Sequence, residues 1–276
     1  MFSLLTVIFF ALGLIIGSFL NVVILRLNTK KTLGGRSACM VCQRELRWYE
    51  LIPVFSFFTL QGRCRTCKTK ISIQYPLVEL TSGIIFALIF LKFSTLSGFV
   101  SQANDWYVWF SPEFLIPFLF YATAFSILLV IAVYDLRHKI IPDLLAFIFG
   151  VLAFIGLFLF SSYNLYLHVP SVWEFLAGPF IALPFAFFWL VSRGRWMGLG
   201  DAKLGLGIGW LLGLTGALSG LVIAFWVGAI VGVALIIISK SRRKGRMGMK
   251  SEIPFAPFLV LGTFLAFMCG FNFFGL

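Results

Sequence analysis

Long apolar runs make up most of the chain, and short polar segments separate them. A membrane-spanning helix needs about 20 apolar residues. Five runs near that length contain no charged residue: Phe2–Leu25, Phe114–Tyr134, Leu144–Phe160, Phe175–Ser192 and Ile253–Leu276. A weaker run begins near Leu77 and carries Glu79 at one end and Lys92 at the other. The pattern therefore predicts at least six membrane helices.

A sixth uncharged run, Leu204–Ser239, is 36 residues long, which is too long for one crossing and about right for two. Residues 213–220 are rich in Gly, Thr and Ser, which predicts a turn between two crossings. The first run has no basic leader before it and no small-residue cleavage site after it, so we interpret it as a retained helix. The prediction is an all-α integral membrane protein with about eight transmembrane helices.

The basic residues test this count. With eight crossings, the polar segments 26–76, 135–143, 193–203 and 240–252 lie on one side and hold 21 of the 22 Lys and Arg residues. Basic segments mark the cytoplasmic face, so both termini are expected outside. The net charge of +12, in a chain that is 61% hydrophobic and 12% charged, is then a signal of membrane topology, and no nucleic-acid partner is expected. The predicted organisation is a first helix (1–25), a cytoplasmic loop (26–76) and a helical bundle (77–276).

The cytoplasmic loop contains two CxxC pairs. Cys39 and Cys42 form the first pair, Cys64 and Cys67 form the second, and 21 residues separate the pairs. This spacing is typical of a tetrahedral zinc site with four cysteine ligands. Two disulfides or free thiols are the alternative, but disulfides are rare in the cytoplasm. A site with four protein ligands has no open position, so we expect structural zinc.

Two of the ten acidic residues lie at the same predicted depth, at the cytoplasmic edge of the membrane. Asp135 ends a long apolar run, and Asp201 follows the flexible segment "GLG", 66 residues later. Taken singly, Asp201 fits a helix N-cap and Asp135 fits an ion pair with Arg137 or Lys139. As a pair they predict an aspartic protease centre, in which two close carboxyl groups share one proton and activate a water molecule.

Other acidic residues have ordinary interpretations. Glu79 lies at a cytoplasmic span edge, where it would cap the start of a helix. Asp143 follows a proline and opens a span, which predicts an N-cap.

Several segments, in order along the chain, resemble the type IV prepilin leader peptidases. They are "GSFLNVVILRL" (17–27), the block 48–80 around the second CxxC, "YDLRHKIIPD" (134–143), "GLGDAKL" (198–204) and "IPFAPFLVLG" (253–262). The chain departs from the family pattern at "GGRSACMVC", where the family has proline, and at Ala256, where it has glycine. Neither departure removes a candidate catalytic or ligand side chain.

The resemblance implies two reactions in the bacterial cytoplasmic (inner) membrane. The first removes the basic leader from prepilins or pseudopilins after a glycine, with Asp135 and Asp201 as the catalytic pair. The second methylates the new α-amino group with S-adenosylmethionine as the donor. Short relatives that act only as peptidases lack the cysteine loop, so its presence favours the bifunctional form. Gly62 matches a glycine of that loop and is the candidate methyl-transfer residue, and Lys203 would orient the loop or attract the substrate.

Other functions stay open at this stage. They are a peptidase that has lost methyl transfer, a non-catalytic scaffold for pilus assembly, and a proton-coupled transporter. The transporter is disfavoured because the acids lie at one edge of the membrane and no inverted halves are visible. The sequence predicts no oligomeric state.

Overall fold

The computed structural model describes residues 2–29, 32, 34–96, 109, 111–161, 164–165, 167–195, 197–241, 254–270 and 273. The helices in these residues are α1 (Phe2–Arg26), α2 (Phe55–Thr59), α3 (Gln74–Leu96), α4 (Pro112–His138), α5 (Asp143–Leu159), α6 (Val172–Ser192), α7 (Leu199–Ser241) and α8 (Ala256–Cys269). A 3-10 helix covers Trp48–Leu51, and β1 (Phe160–Ser161) pairs antiparallel with β2 (Asn164–Leu165). Apart from this two-residue ribbon, the fold is helical as predicted.

The helices identify an integral membrane protein. Five of them, α1, α3, α4, α6 and α7, are long and apolar enough to cross a bilayer. The apolar helices α5 and α8 are shorter, with 17 and 14 residues. The last span was expected to extend to Leu276, but α8 ends at Cys269, where Gly270 adopts a left-handed conformation with φ 61°. The count of eight crossings stays a prediction, and the last part of the expected span lies outside the described residues.

Helix α7 changes direction at Gly213, whose backbone (φ 71°, ψ 175°) is not helical. Before it, a Cβ on Gly205 would lie 3.3 Å from the Phe185 ring. After it, the rings of Phe225 and Phe255 are 5.1 Å apart, and the Phe255 ring lies 6.1 Å from that of Phe185. A straight helix would separate positions 205 and 225 by about 30 Å, so the chain turns back between them. This agrees with the two passes that the length of the uncharged run predicts.

The chain divides into two compact units, Met1–Ser126 and Ile127–Leu276. In the first unit, α1 packs against α3 through a Gly-x-x-x-Gly pair. A Cβ on Gly13 would lie 2.7 Å from the carbonyl oxygen of Ser82, and a Cβ on Gly17 would lie 2.7 Å from the Cα of Glu79. Small residues of this kind allow membrane helices to approach closely. The seam therefore brings side chains of α1 next to Glu79.

The second unit is formed mainly by α5, α6, α7 and α8. Backbones meet directly: a Cβ on Gly209 would lie 2.5 Å from the Ala177 carbonyl oxygen, and a Cβ on Gly262 would overlap the Gly220 carbonyl oxygen. This close packing places the last turn of α4 and the first turns of α7 and α8 at one end of the unit. Both candidate catalytic acids lie there.

Candidate functional site

Asp135 lies in the last turn of α4 and is buried, with 5% of its surface exposed. Its Oδ2 accepts a hydrogen bond from the backbone N–H of Ala256, at 3.3 Å, where α8 begins. The N-terminal end of a helix carries unpaired N–H groups and a partial positive charge, which suits a carboxylate. The start of α8 therefore holds this carboxyl group in place.

Asp201 is the third residue of α7 and is 8% exposed. The backbone N–H of Gly198 forms a hydrogen bond to its carboxyl group, and the charge of Asp135 acts on it electrostatically. The structure therefore brings together the two acids that lie 66 residues apart in the sequence. Each has its own backbone donor, and both are buried.

Close packing explains why residue 200, next to Asp201, is a glycine. A Cβ at this position would lie 2.7 Å from the Cβ of Ile141, in the loop between α4 and α5. Any larger residue would push this loop away from the first turn of α7. The glycine is required because the two segments that carry the acids approach closely here.

Lys203 forms an ion pair with Asp143, whose Oδ1 lies 2.6 Å from its Nζ. The pair joins the fifth residue of α7 to the first residue of α5. The N-cap expected at Asp143 is wrong, because Pro142 occupies the N-cap position and the Asp143 carboxylate points to Lys203 instead. Both side chains are partly exposed, so the pair contributes little to stability, about 0–1 kcal/mol.

The four cysteines of the loop form one cluster, and their sulfur atoms all lie within 4.8 Å of one another. The Sγ atoms of Cys39 and Cys67 are 3.7 Å apart. Tetrahedral zinc–thiolate bonds of about 2.3 Å place sulfur atoms about 3.8 Å apart. Both the donor set and the spacing therefore fit zinc.

Each CxxC pair lies on the same kind of turn, 25 residues apart. The N–H of Cys39 donates to the Arg44 carbonyl oxygen, and the N–H of Cys64 donates to that of Thr69. A residue with left-handed backbone follows each pair, Gln43 with φ 57° and Lys68 with φ 57°. This local repeat was not detected in the sequence, because only the cysteines and the turn geometry are shared.

The cysteines have unequal proton affinities. The Thr69 hydroxyl and backbone N–H lower the pKa of Cys67 to about 6. At Cys42 a hydrogen bond from the Arg44 N–H lowers the pKa, but burial and the neighbouring thiols raise it to about 11. Crowded thiols resist full ionisation because their negative charges repel, and a bound cation removes that repulsion.

Glu50 is buried beside the cysteine cluster and is paired. Its Oε1 lies 2.7 Å from Nη2 of Arg44, and its Oε2 accepts the Arg47 N–H at 2.9 Å. Burial raises the pKa of this carboxyl group, but the two hydrogen bonds outweigh burial and hold the pKa below its usual range. Its contribution to stability is therefore present at neutral pH and is lost as the pH falls below the usual glutamate range.

We expect Glu50→Gln to release zinc to a chelator about tenfold faster than the wild type, since a charge-assisted bond is worth about 1.5–3 kcal/mol. Absorbance of a zinc-sensitive dye measures the rate at pH 7. Glu45→Gln is the matched control, because the ion pair of Glu45 with Arg36 is exposed. Equal release rates for the two variants would show that Glu50 does not hold the loop.

Gly62 has a structural reason to be glycine. Its backbone is left-handed, with φ 63°, and a Cβ there would lie 3.0 Å from the Phe57 ring. Its N–H donates to the Phe57 carbonyl oxygen, and its own carbonyl accepts from Ile71. No feature of the described residues assigns a ligand to Gly62 itself.

Two family models match the chain, and together they cover both candidate acids and the four cysteines. A model of the type IV leader peptidase family matches residues 122–233, which contain both acids, and a model of the bacterial peptidase A24 N-terminal domain matches residues 11–93, which contain the cysteines. No solved structure shows a significant match.

Curated relatives match most of the chain. A prepilin leader peptidase/N-methyltransferase of Myxococcus xanthus is 33% identical over 90% of this chain and 67% of its own length. Proteins of the same name from Bacillus subtilis and Pseudomonas aeruginosa are 30% and 32% identical, over 95% and 94% of this chain and 94% and 88% of their own lengths.

Proposed function

Because the chain belongs to the type IV leader peptidase family, we propose that it is a membrane aspartic endopeptidase with N-methyltransferase activity. Its substrates are prepilins or pseudopilins, from which it removes the leader at the cytoplasmic face of the inner membrane. It then methylates the new N-terminal residue with S-adenosylmethionine as the donor. The names of its relatives support both activities.

The observation that carries the peptidase proposal is the pair of buried acids, Asp135 and Asp201, which interact electrostatically. In this mechanism the ionised carboxyl takes a proton from a water molecule, which attacks the peptide carbonyl carbon. The protonated carboxyl donates a hydrogen bond to the carbonyl oxygen as negative charge develops there. The carbon–nitrogen bond then breaks, and the leaving amine takes a proton.

The backbone donors give each acid a fixed position. The Ala256 N–H binds one oxygen of Asp135, and the Gly198 N–H binds the carboxyl of Asp201. Fixed donors cost no reorganisation during the reaction, which supports catalysis. Lys203 and Asp143 are placed to hold the surrounding loop and have no assigned chemical step.

The predicted topology supports cleavage between the leader and the apolar helix of the substrate. A basic leader stays on the cytoplasmic side by the positive-inside rule, while the apolar helix that follows lies in the bilayer. The scissile bond then lies at the cytoplasmic interface. The charge distribution of this chain supports the same interface for its two acids.

The cysteine loop completes the proposal. Cys39, Cys42, Cys64 and Cys67 would hold one zinc ion, which stabilises the fold of the loop and has no open position for a substrate. S-adenosylmethionine would supply an activated methyl group for the new α-amine. Gly62 shapes the turn that precedes the second cysteine pair.

Expression in a bacterium that lacks its own leader peptidase tests the peptidase proposal. A co-expressed prepilin is expected to gain the mature N terminus with the wild-type chain and to keep its leader with Asp135→Asn, as N-terminal sequencing measures. Pili assembled from uncleaved precursor would instead favour a scaffold. Processing that proceeds in both strains would exclude Asp135 from catalysis.

A further inference from the structure

A third acid of the transmembrane helices, Glu79, is also buried. It lies in the second turn of α3 and is 7% exposed. Charged side chains are almost never buried without a partner, because removing a charge from water is costly. The interpretation of Glu79 as a simple helix cap is therefore insufficient.

The partners of Glu79 are neutral. Its Oε2 accepts the backbone N–H of Val54 at 2.7 Å, and the Ser18 hydroxyl also binds the carboxyl. Within the residues that the structure describes, no Lys, Arg or His forms an ion pair with it. Glu50 differs in this respect, because its charge is matched by Arg44.

Among the residues that the structure describes, two buried polar atoms along the same α1–α3 seam have no hydrogen-bond partner. The Asn21 Nδ2 donates to the carbonyl oxygens of Tyr75 and Gly17, at 3.1 and 3.3 Å, which fixes the amide orientation and leaves Oδ1 without a partner. The Ser82 hydroxyl, one turn along α3 from Glu79, is likewise buried without a partner. Carboxylate and amide oxygens only accept hydrogen bonds, so no positive charge balances the Glu79 carboxylate and the Asn21 Oδ1 within this cluster.

The backbone that binds Glu79 is strained. Val54, a β-branched residue, has φ 61° and ψ −51°, and the Phe55 N–H donates to the Pro53 carbonyl oxygen across it, which is a γ-turn of the rare form. Strain of this kind costs about 1–3 kcal/mol and concentrates at functional sites. The turn opens α2, whose Phe57 ring covers Gly62. Glu79 therefore anchors the segment that leads to the candidate methyl-transfer glycine.

We infer that Glu79 is the anionic contact for the organic cation of methyl transfer. That cation is either the sulfonium group of S-adenosylmethionine or the α-ammonium group of the cleaved pilin. Either bound cation would supply the positive charge that the cluster lacks. The inference rests on the methyl transfer proposed above. Both groups are organic cations, and binding measurements distinguish which of them contacts Glu79.

The test uses Glu79→Gln in the full-length, zinc-loaded protein in nanodiscs. Glutamine keeps the size of the side chain and an acceptor for the Val54 N–H, but removes the charge. Glu45→Gln is the matched control, because it removes one charge from an exposed site in the cysteine loop. Dissociation constants are measured for S-adenosylmethionine, for its uncharged-sulfur product S-adenosylhomocysteine, and for a mature pilin N-terminal peptide with a free or acetylated amine.

A sulfonium contact predicts that Glu79→Gln weakens S-adenosylmethionine binding about tenfold or more and changes S-adenosylhomocysteine binding less than about threefold. An ammonium contact predicts the same loss for the free-amine peptide and none for the acetylated one. Glu45→Gln should change none of these values.

The inference is overturned if Glu79→Gln weakens binding of the charged ligands no more than binding of the uncharged ones. An equal loss of affinity for S-adenosylmethionine and S-adenosylhomocysteine would indicate a structural role for Glu79. If the wild type neither binds S-adenosylmethionine nor methylates cleaved pilin, the proposed methyl transfer fails, and this inference fails with it. If the wild type methylates and Glu79→Gln binds every probe normally, only the Glu79 assignment fails.

Discussion

Replacing Asp201 by asparagine is expected to reduce leader cleavage on the order of 10⁴-fold, because an amide cannot exchange a proton with the attacking water. Asparagine has the shape of aspartate and keeps an oxygen for the Gly198 N–H, so the first turn of α7 should be preserved. The rate is measured with purified protein and a prepilin substrate at saturating concentration. Methylation of pilin that has already been cleaved should continue, since the cysteine loop is unchanged.

Glu113→Gln is the matched control for this loss of one acid. Glu113 is exposed in the first turn of α4, at the opposite end of the helix from Asp135. Its replacement should leave cleavage within about twofold of the wild type, in line with the small effect of an exposed helix-end charge. Cleavage by Asp201→Asn at the control rate would exclude an aspartic mechanism that uses this residue.

Loss of the zinc ligands is the second large effect. In Cys39→Ser/Cys64→Ser, each cysteine pair loses one sulfur, and we expect bound zinc to fall from about one per chain to none, as in small domains that fold only with metal. Within the described part of residues 34–73, Glu50 and Cys64 alone are buried, so the loop has almost no apolar core of its own. Methyl transfer should therefore fall more than about 100-fold, since losing a residue that only supports a metal ligand already costs about 10- to 100-fold.

Cys269→Ser is the control for this double substitution, because Cys269 is an exposed thiol in α8 and is not one of the four clustered cysteines. It should keep zinc and both activities. Elemental analysis gives the zinc content, and mass spectrometry of pre-cleaved pilin gives the methylation rate. Normal methylation by a zinc-free double variant would separate the loop from methyl transfer. We expect cleavage to fall much less than methylation, because its acids lie in the helices.

Hydrophobic runs predict the long apolar helices, since lipid disfavours exposed polar groups. The sidedness that the charge bias predicts stays a prediction. The length of the uncharged run also predicts the reversal within α7, which the structure places at Gly213. The last apolar run continues beyond the end of α8, because apolar composition alone does not mark where Gly270 ends the helix. The cysteine spacing predicts the cluster directly, because each pair needs only a local turn.

Contacts between distant segments are what the sequence does not reveal. Glu79 binds a backbone N–H 25 residues away, and Asp143 pairs with a lysine 60 residues away. Both acids stand at predicted helix starts, so local rules assign them as caps. The sequence predicts that Asp135 and Asp201 act as a pair only because the charge bias assigns both to the same membrane depth. The backbone donors at Gly198 and Ala256 depend on packing that no local pattern encodes.

Intact-mass analysis of a prepilin incubated with the purified wild-type protein tests the central claim most directly, with and without S-adenosylmethionine. The account predicts a product cut after the leader glycine in both reactions, and heavier by one methyl group only with the donor. Cleavage without the added methyl would leave a peptidase alone. An uncleaved substrate, with a folded and zinc-loaded protein, would contradict the account.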